Sequence, residues 1–232
     1  MTSRARAQPA ATRGDEDGIG RGAVGCVLFD LGGLLIGFRG VEVVADWLGG
    51  APSPALWRRW LSSPAVRAFE RGEQDVEAFA DGLIADFELT IEPRRILDEM
   101  AGWITDPVPG ALELLDELRA LGDERPIVAC LSNTNAIHWP LLQSPFGPRF
   151  DRLFLSHQTG RVKPDPASFD QVPVALGIPA HRVLFFDDQP TNVEAARARG
   201  LAAEQTSSPA DCRRVLVERG VLGARLAARA GR

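Results

Sequence analysis

Short apolar runs punctuate this chain, and amphipathic stretches separate them. The runs are "AVGCVLFD" (Ala23 to Asp30), "PIVACLS" (Pro126 to Ser132), "RLFLS" (Arg152 to Ser156), "RVLFFDD" (Arg182 to Asp188) and a weaker one from Leu201 to Thr206. Each is short, continuous and apolar, the pattern of a strand buried on both faces. Between them the period changes. Residues Val108 to Gly122 place apolar side chains at 111, 114, 115 and 118 and stop at a glycine, which predicts a helix. Asp165 to Gly177 and Thr191 to Gly200 read the same way, with Pro173 interrupting the first. Strands alternating with helices predict an α/β fold, a Rossmann-like parallel sheet.

One gap breaks the alternation. The stretch between the first two strands is far longer than a crossover requires. Within it "VEVVADWLGG", "SPALWRRWLSS", "SPAVRAFERG", "DVEAFADGLIADFEL" and "EPRRILDEMAGWI" are each amphipathic. Serine or aspartate stands at their starts and glycine or proline between them. Residues 39–106 therefore predict an inserted helical subdomain, leaving 23–38 and 107–232 as the core. Residues 1–22 are polar, charged and without periodicity, and predict a disordered tail.

Composition narrows the function. Of 232 residues 45% are hydrophobic, enough for a real core, and the net charge is −5 without a clustered basic stretch. That argues against a nucleic-acid partner. No apolar run approaches the roughly 18 residues of a membrane span, and the N-terminus lacks the apolar centre of a signal peptide. Cys26, Cys130 and Cys212 are too few and scattered for a disulfide framework or zinc site. These features predict a cytoplasmic protein. "GRGAVG" (Gly20 to Gly25) fits a dinucleotide fingerprint by letter, but it enters a strand where that fingerprint opens a helix.

The candidate chemistry lies where polar residues end the apolar runs. Asp30 closes the first run, Ser132 and Asn133 the second, and Asp187 and Asp188 the fourth. In an open α/β sheet these carboxyl ends form the ligand-binding edge. Lys163, in "GRVKPDPASF", precedes a helix that leads to the same edge. Clustered carboxylates repel unless a cation neutralises them. Mg²⁺ would bind through one or two carboxylates, waters and a substrate phosphate. A lysine with Mg²⁺ would stabilise a transferring phosphoryl group, and a carboxylate would serve as covalent nucleophile. Asp187 and Asp188, adjacent on a strand, point to opposite faces.

These stretches resemble, in order, the four motifs of haloacid dehalogenase (HAD) superfamily hydrolases that carry a small helical cap after the first motif. "VLFDLGGLL" resembles the first, "ACLSNTN" the second, "RVKPDP" the third and "VLFFDDQPTNVEAARARG" the fourth. The resemblance implies Asp30 as nucleophile, Ser132 as phosphate-binding hydroxyl with Asn133 beside it, and Lys163 as phosphate-stabilising lysine. It implies Asp30, Asp188 and the Gly32 carbonyl as Mg²⁺ ligands, with Asp187 and Asn192 as lesser candidates. The expected activity is Mg²⁺-dependent hydrolysis of a small phosphorylated metabolite, as in bacterial sugar-phosphate phosphatases. A 2-haloacid dehalogenase and a non-catalytic phosphate-binding or regulatory protein are the alternative readings. One departure matters for mechanism. The family's second aspartate of the first motif, its general acid and base, is Gly32 here, so proton transfer must come from water, the substrate or a cap residue. Among the histidines, His157 stands nearest the ligand edge. The tryptophans of the insert read as packing residues, Trp139 as facing the site region, and Arg39 as a possible anion contact.

Overall fold

β1 (Cys26–Phe29) is buried along its whole length, and the rest of the sheet is built outward from it. In this computed structural model the described residues are 24–123 and 125–223. The expected disordered tail, and with it most of "GRGAVG", lies outside them. After β1 the chain turns tightly into a short strand, β2 (Ile36–Phe38). Helices α1 (Gly40–Trp47), α2 (Pro54–Ser62), α3 (Pro64–Glu70), α4 (Val76–Phe87) and α5 (Pro93–Glu99) follow. β3 (Ile104–Pro107) then pairs antiparallel with β2, and α6 (Ala111–Arg119) leads back to the sheet. The remaining elements are β4 (Ile127–Ser132), α7 (His138–Phe146), β5 (Arg152–Leu155), α8 (Ser156–Thr159), α9 (Pro166–Leu176), β6 (Val183–Asp187), α10 (Pro190–Ala198), β7 (Ala202–Gln205) and α11 (Pro209–Glu218).

The main sheet has the order β5-β4-β1-β6-β7, and every pairing in it is parallel. Both faces are covered, which explains the continuous apolar runs. The two-residue period divides them between two cores. Val27, Phe29, Val128, Cys130, Leu184 and Phe186 face one side. Cys26, Leu28, Ala129, Leu131, Val183 and Phe185 face the other. Because β1 lies between β4 and β6, Asp30, Ser132 and Asp187 end neighbouring strands at one edge. That adjacency is set by strand order alone.

The helices of the insert share a third core, built around Val44, Trp60, Phe69, Phe79, Leu83 and Trp103. Their starts follow the sequence closely. Ser53, Ser63 and Asp75 accept hydrogen bonds from the amides of Leu56, Val66 and Ala78 at 3.1, 3.1 and 2.9 Å. Each satisfies an amide that the first helical turn leaves unpaired. Two features differ from expectation. Ile36–Phe38, for which the apolar pattern predicts no separate strand, form β2, which with β3 makes a two-stranded ribbon joining insert to sheet. Three residues around a glycine carry too little alternation to announce a strand. Pro173 does not break α9. Phe169 and Val172, fully buried against the sheet, hold the helix through the hydrogen bond that proline removes.

Candidate active site

The turn after β1 aims Asp30 over the sheet edge. The Asp30 amide donates to the carbonyl of Phe186 at 2.9 Å, and the amides of Leu35 and Ile36 both donate back to the carbonyl of Leu31. Gly33 has φ of +73°, and a β-carbon there would lie 2.5 Å from Asp188 Oδ2. Glycine is required on both counts, because only it takes this φ freely and lets the backbone approach the carboxylate. Gly32 is different. Its nearest neighbour to an added β-carbon is Phe38 Cβ at 4.0 Å, so that position has room for a side chain and carries none.

Lys163 is the centre of the charge arrangement. Its Nζ lies 2.8 Å from Asp30 Oδ1 and 2.7 Å from Asp187 Oδ2, with only 2% of its side chain exposed. Burial alone would lower its pKa, but Asp187 and Asp30 outweigh burial and hold the ammonium well above its usual range. The loop that delivers it is fixed by a reciprocal pair. Asn133 Nδ2 donates to the Lys163 carbonyl at 3.0 Å, and the Lys163 amide donates to Asn133 Oδ1 at 2.8 Å. Asn133 thus holds the lysine loop to the end of β4, while the neighbouring Ser132 hydroxyl lines the open pocket.

Asp187 and Asp188 have separate surroundings. Asp187 is fully buried and accepts from Lys163, from the Gln189 amide at 2.8 Å and from Asn192 Nδ2 at 3.0 Å. Its oxygens are therefore committed to holding the lysine, and Asn192 serves Asp187. Asp188 accepts from Gln189 Nε2 at 2.7 Å and faces the pocket with Asp30. Burial pushes the Asp30 carboxyl up to about 7; Lys163 opposes the rise, and Asp187 and Asp188 add to it. Burial, then Asp187, also raises Asp188. Oxygens of Asp30, Asp187 and Asp188 lie within 4.8 Å of one another. Two of these three carboxylates, Asp30 and Asp188, face the pocket, a single lysine serves the group, and the Gly32 backbone adjoins them. This all-oxygen donor set fits a hard divalent cation.

The insert closes the site from above. The pocket wall beyond Asp30 and Lys163 includes Phe38, Trp57, Trp60, Phe69 and Trp103 from the insert and its ribbon. Several tryptophans that read as packing residues therefore also face the ligand space. Trp139 is buried in the core under the sheet instead, and Arg39 is exposed. The histidine on the pocket wall is His138, while His157 lies outside it. Sequence reasoning also missed Glu70, which ends α3 and lines the same pocket. Nothing in the helical period marks it, because a carboxylate at a helix end is ordinary surface chemistry.

The haloacid dehalogenase-like hydrolase family model matches residues 24–200. This chain belongs to that family. It is 29% identical to a phosphatase of Mycobacterium tuberculosis over 192 residues, 78% of this chain and 86% of that protein. It is also 29% identical to a phosphoglycolate phosphatase of Pseudomonas savastanoi over 184 residues. That match covers 78% of this chain, but the chain spans only 60% of the length of that relative. Among solved structures, a HAD family enzyme of Bacteroides thetaiotaomicron, in complex with magnesium and inorganic phosphate, matches with a TM-score of 0.61 at 24% identity. The match covers 78% of this chain and 93% of that one, and it shows the shared α/β fold.

Proposed function

We propose that this HAD-like hydrolase is a Mg²⁺-dependent phosphatase that cleaves small phosphate monoesters through an aspartyl-phosphate on Asp30. The observation that carries the reading is Lys163, held between Asp30 and Asp187 at an edge where Asp188 presents a further carboxylate to the pocket. Lys163 places a permanent positive charge where phosphate oxygens gather. Ser132 and the strand-end backbone complete a phosphate seat. Asp30 would attack phosphorus, and Asp187 would keep the lysine in place with Asn192 behind it. Mg²⁺ held by Asp30, Asp188 and the Gly32 carbonyl would supply the charge that offsets carboxylates and substrate phosphate together.

The organic part of the ester would lie against the aromatic wall. That wall favours a leaving group with an apolar face, a class that includes sugar phosphates through the C–H faces of their rings. The phosphatases among the relatives support the reaction class. Three buried free cysteines fit a reducing compartment such as the cytoplasm. Among the described residues no helix is long and apolar enough to cross a membrane.

Phosphate release from p-nitrophenyl phosphate and a panel of alkyl and sugar phosphates tests the reading. The expected result is turnover with Mg²⁺, its loss with EDTA, and its return when Mg²⁺ is restored. Halide release from a 2-haloacid without metal would instead make the protein a dehalogenase. Phosphate binding without turnover of any ester would make it a binding protein.

A further inference from the structure

Gly32 leaves the reaction without a side chain to move the proton, although the site has space there. The titratable side chains on the pocket wall are Asp30, Glu70, His138, Lys163 and Asp188. Three of them are occupied by the chemistry above. His138 is excluded by its bonding. Its Nε2 faces the Met100 carbonyl at 2.9 Å and must donate, so Nδ1 accepts from Asn135 Nδ2 at 3.0 Å. Both nitrogens are used, and burial, against the bond to Met100, favours the neutral ring. Glu70 remains.

Glu70 is brought to the site by contacts between the end of α3 and the lysine loop. It ends α3, and the Arg67 and Arg71 guanidinium groups flanking it both bind Asp165, two residues beyond Lys163, at 2.7 and 3.0 Å. On the next residue but one, Gly72 has φ of +72°, and a β-carbon there would lie 2.4 Å from the His157 carbonyl oxygen. The end of α3 is thus pressed onto α8 and the lysine loop. Glu70 lines the same pocket as Asp30, Asn133 and Lys163, and its carboxyl feels the charges of Lys163 and Asp30.

We propose that Glu70 is the general acid and base of this enzyme, supplied by the helical insert in place of the side chain that Gly32 lacks. This rests on the phosphatase reading above. In the first step an Asp30 oxygen bonds to phosphorus and the P–O bond to the leaving group breaks. Protonated Glu70 gives its proton to the departing oxygen, releasing an alcohol. In the second step Glu70 carboxylate takes a proton from water as that water attacks phosphorus. The P–O bond to Asp30 breaks, freeing phosphate and restoring the Asp30 carboxylate and protonated Glu70.

The electrostatics suit this cycle. Burial pushes the Glu70 carboxyl up to about 7, with Lys163 and Arg67 opposing and Asp30 adding to the rise. The charged and titratable side chains of the elements packed there include Arg67, Arg71 and Asp165, which pair with one another, and His157 of α8. A group of this kind is partly protonated at neutral pH, where an acid–base catalyst works best.

The test compares kcat/KM for an alkyl phosphate and for p-nitrophenyl phosphate in wild type and Glu70→Gln. This ratio reports steps up to departure of the leaving group. An alcohol needs a proton to leave, whereas p-nitrophenolate leaves unaided. Glu70→Gln is expected to lower the alkyl rate by ~10²–10⁴-fold and the p-nitrophenyl rate far less. The alkaline limb of the alkyl profile, where rate falls as Glu70 ionises, should also disappear. Continued turnover of p-nitrophenyl phosphate shows in the same sample that the variant is folded. Should Glu70→Gln fail to fold, as read by circular dichroism, Glu70→Asp takes its place, and its alkyl rate should fall by at least about tenfold more than its p-nitrophenyl rate. Equal losses on both esters, or no loss, overturns the role of Glu70 while leaving the phosphatase reading intact. Wild type that hydrolyses neither ester overturns the phosphatase reading itself.

Discussion

Asp30→Asn is expected to lower phosphate release by on the order of 10⁴–10⁶-fold, the scale of removing a covalent nucleophile, while the fold survives. The change is nearly isosteric. The amide oxygen of asparagine can still accept from Lys163 Nζ, which keeps Asp187 as its counter-ion at 2.7 Å. What disappears is a charge that the structure holds at a cost. Burial drives the Asp30 carboxyl up to about 7 even with a lysine at 2.8 Å. The metal-free variant should therefore melt at the same temperature as wild type or higher. Initial-rate assays and thermal denaturation on the same preparations check both halves. Activity within tenfold of wild type would remove Asp30 as nucleophile. A collapse in melting temperature would show that its role is structural.

The sheet was legible because its chemistry is repetitive. Cys26 to Phe29, Ile127 to Ser132 and Val183 to Asp187 are apolar on both faces, and only a parallel strand covered by helices on both sides needs that. The polar edge followed from the same runs, since a charged residue ending such a strand has few places to go other than the open edge. The β2–β3 ribbon was not legible, because its pairing joins residues far apart in sequence and shows no period. The pocket wall was hidden for a related reason. Trp60 and Trp103 satisfy the helical pattern of a core and also border the ligand space, and amphipathic spacing cannot separate the two uses. Glu70 was hidden more completely. Its meaning depends on Arg67 and Arg71 meeting Asp165 across some 95 residues of chain, a contact that no local pattern encodes. The doubt raised by Gly32 was visible from the start; the group that could resolve it was visible only in three dimensions.

Lys163→Met is expected to be the most damaging single change to stability at this edge. It removes the cation shared by Asp30 and Asp187, whose side chains are 10% and 0% exposed. Asp187 keeps the Gln189 amide and Asn192, but these are neutral donors. Breaking a buried ion pair from one side costs about 3–5 kcal/mol, because the partner charge stays buried and unpaired. For a chain of this size that corresponds to a fall of roughly 6–20 °C in melting temperature, read in metal-free protein. The deficit should shrink as pH is lowered, because protonating a carboxyl removes the charge that lacks a partner. A double-mutant cycle isolates the cause. Asp30→Asn added to Lys163→Met removes one of the two stranded charges, so the double variant should be more stable than Lys163→Met alone, a non-additivity expected of groups in contact. A Lys163→Met protein that melts like wild type would show that the ion pairs with Asp30 and Asp187 contribute little. Strict additivity in the cycle would show that the lysine stabilises the edge through the packing of its buried stem rather than through its ion pair with Asp30.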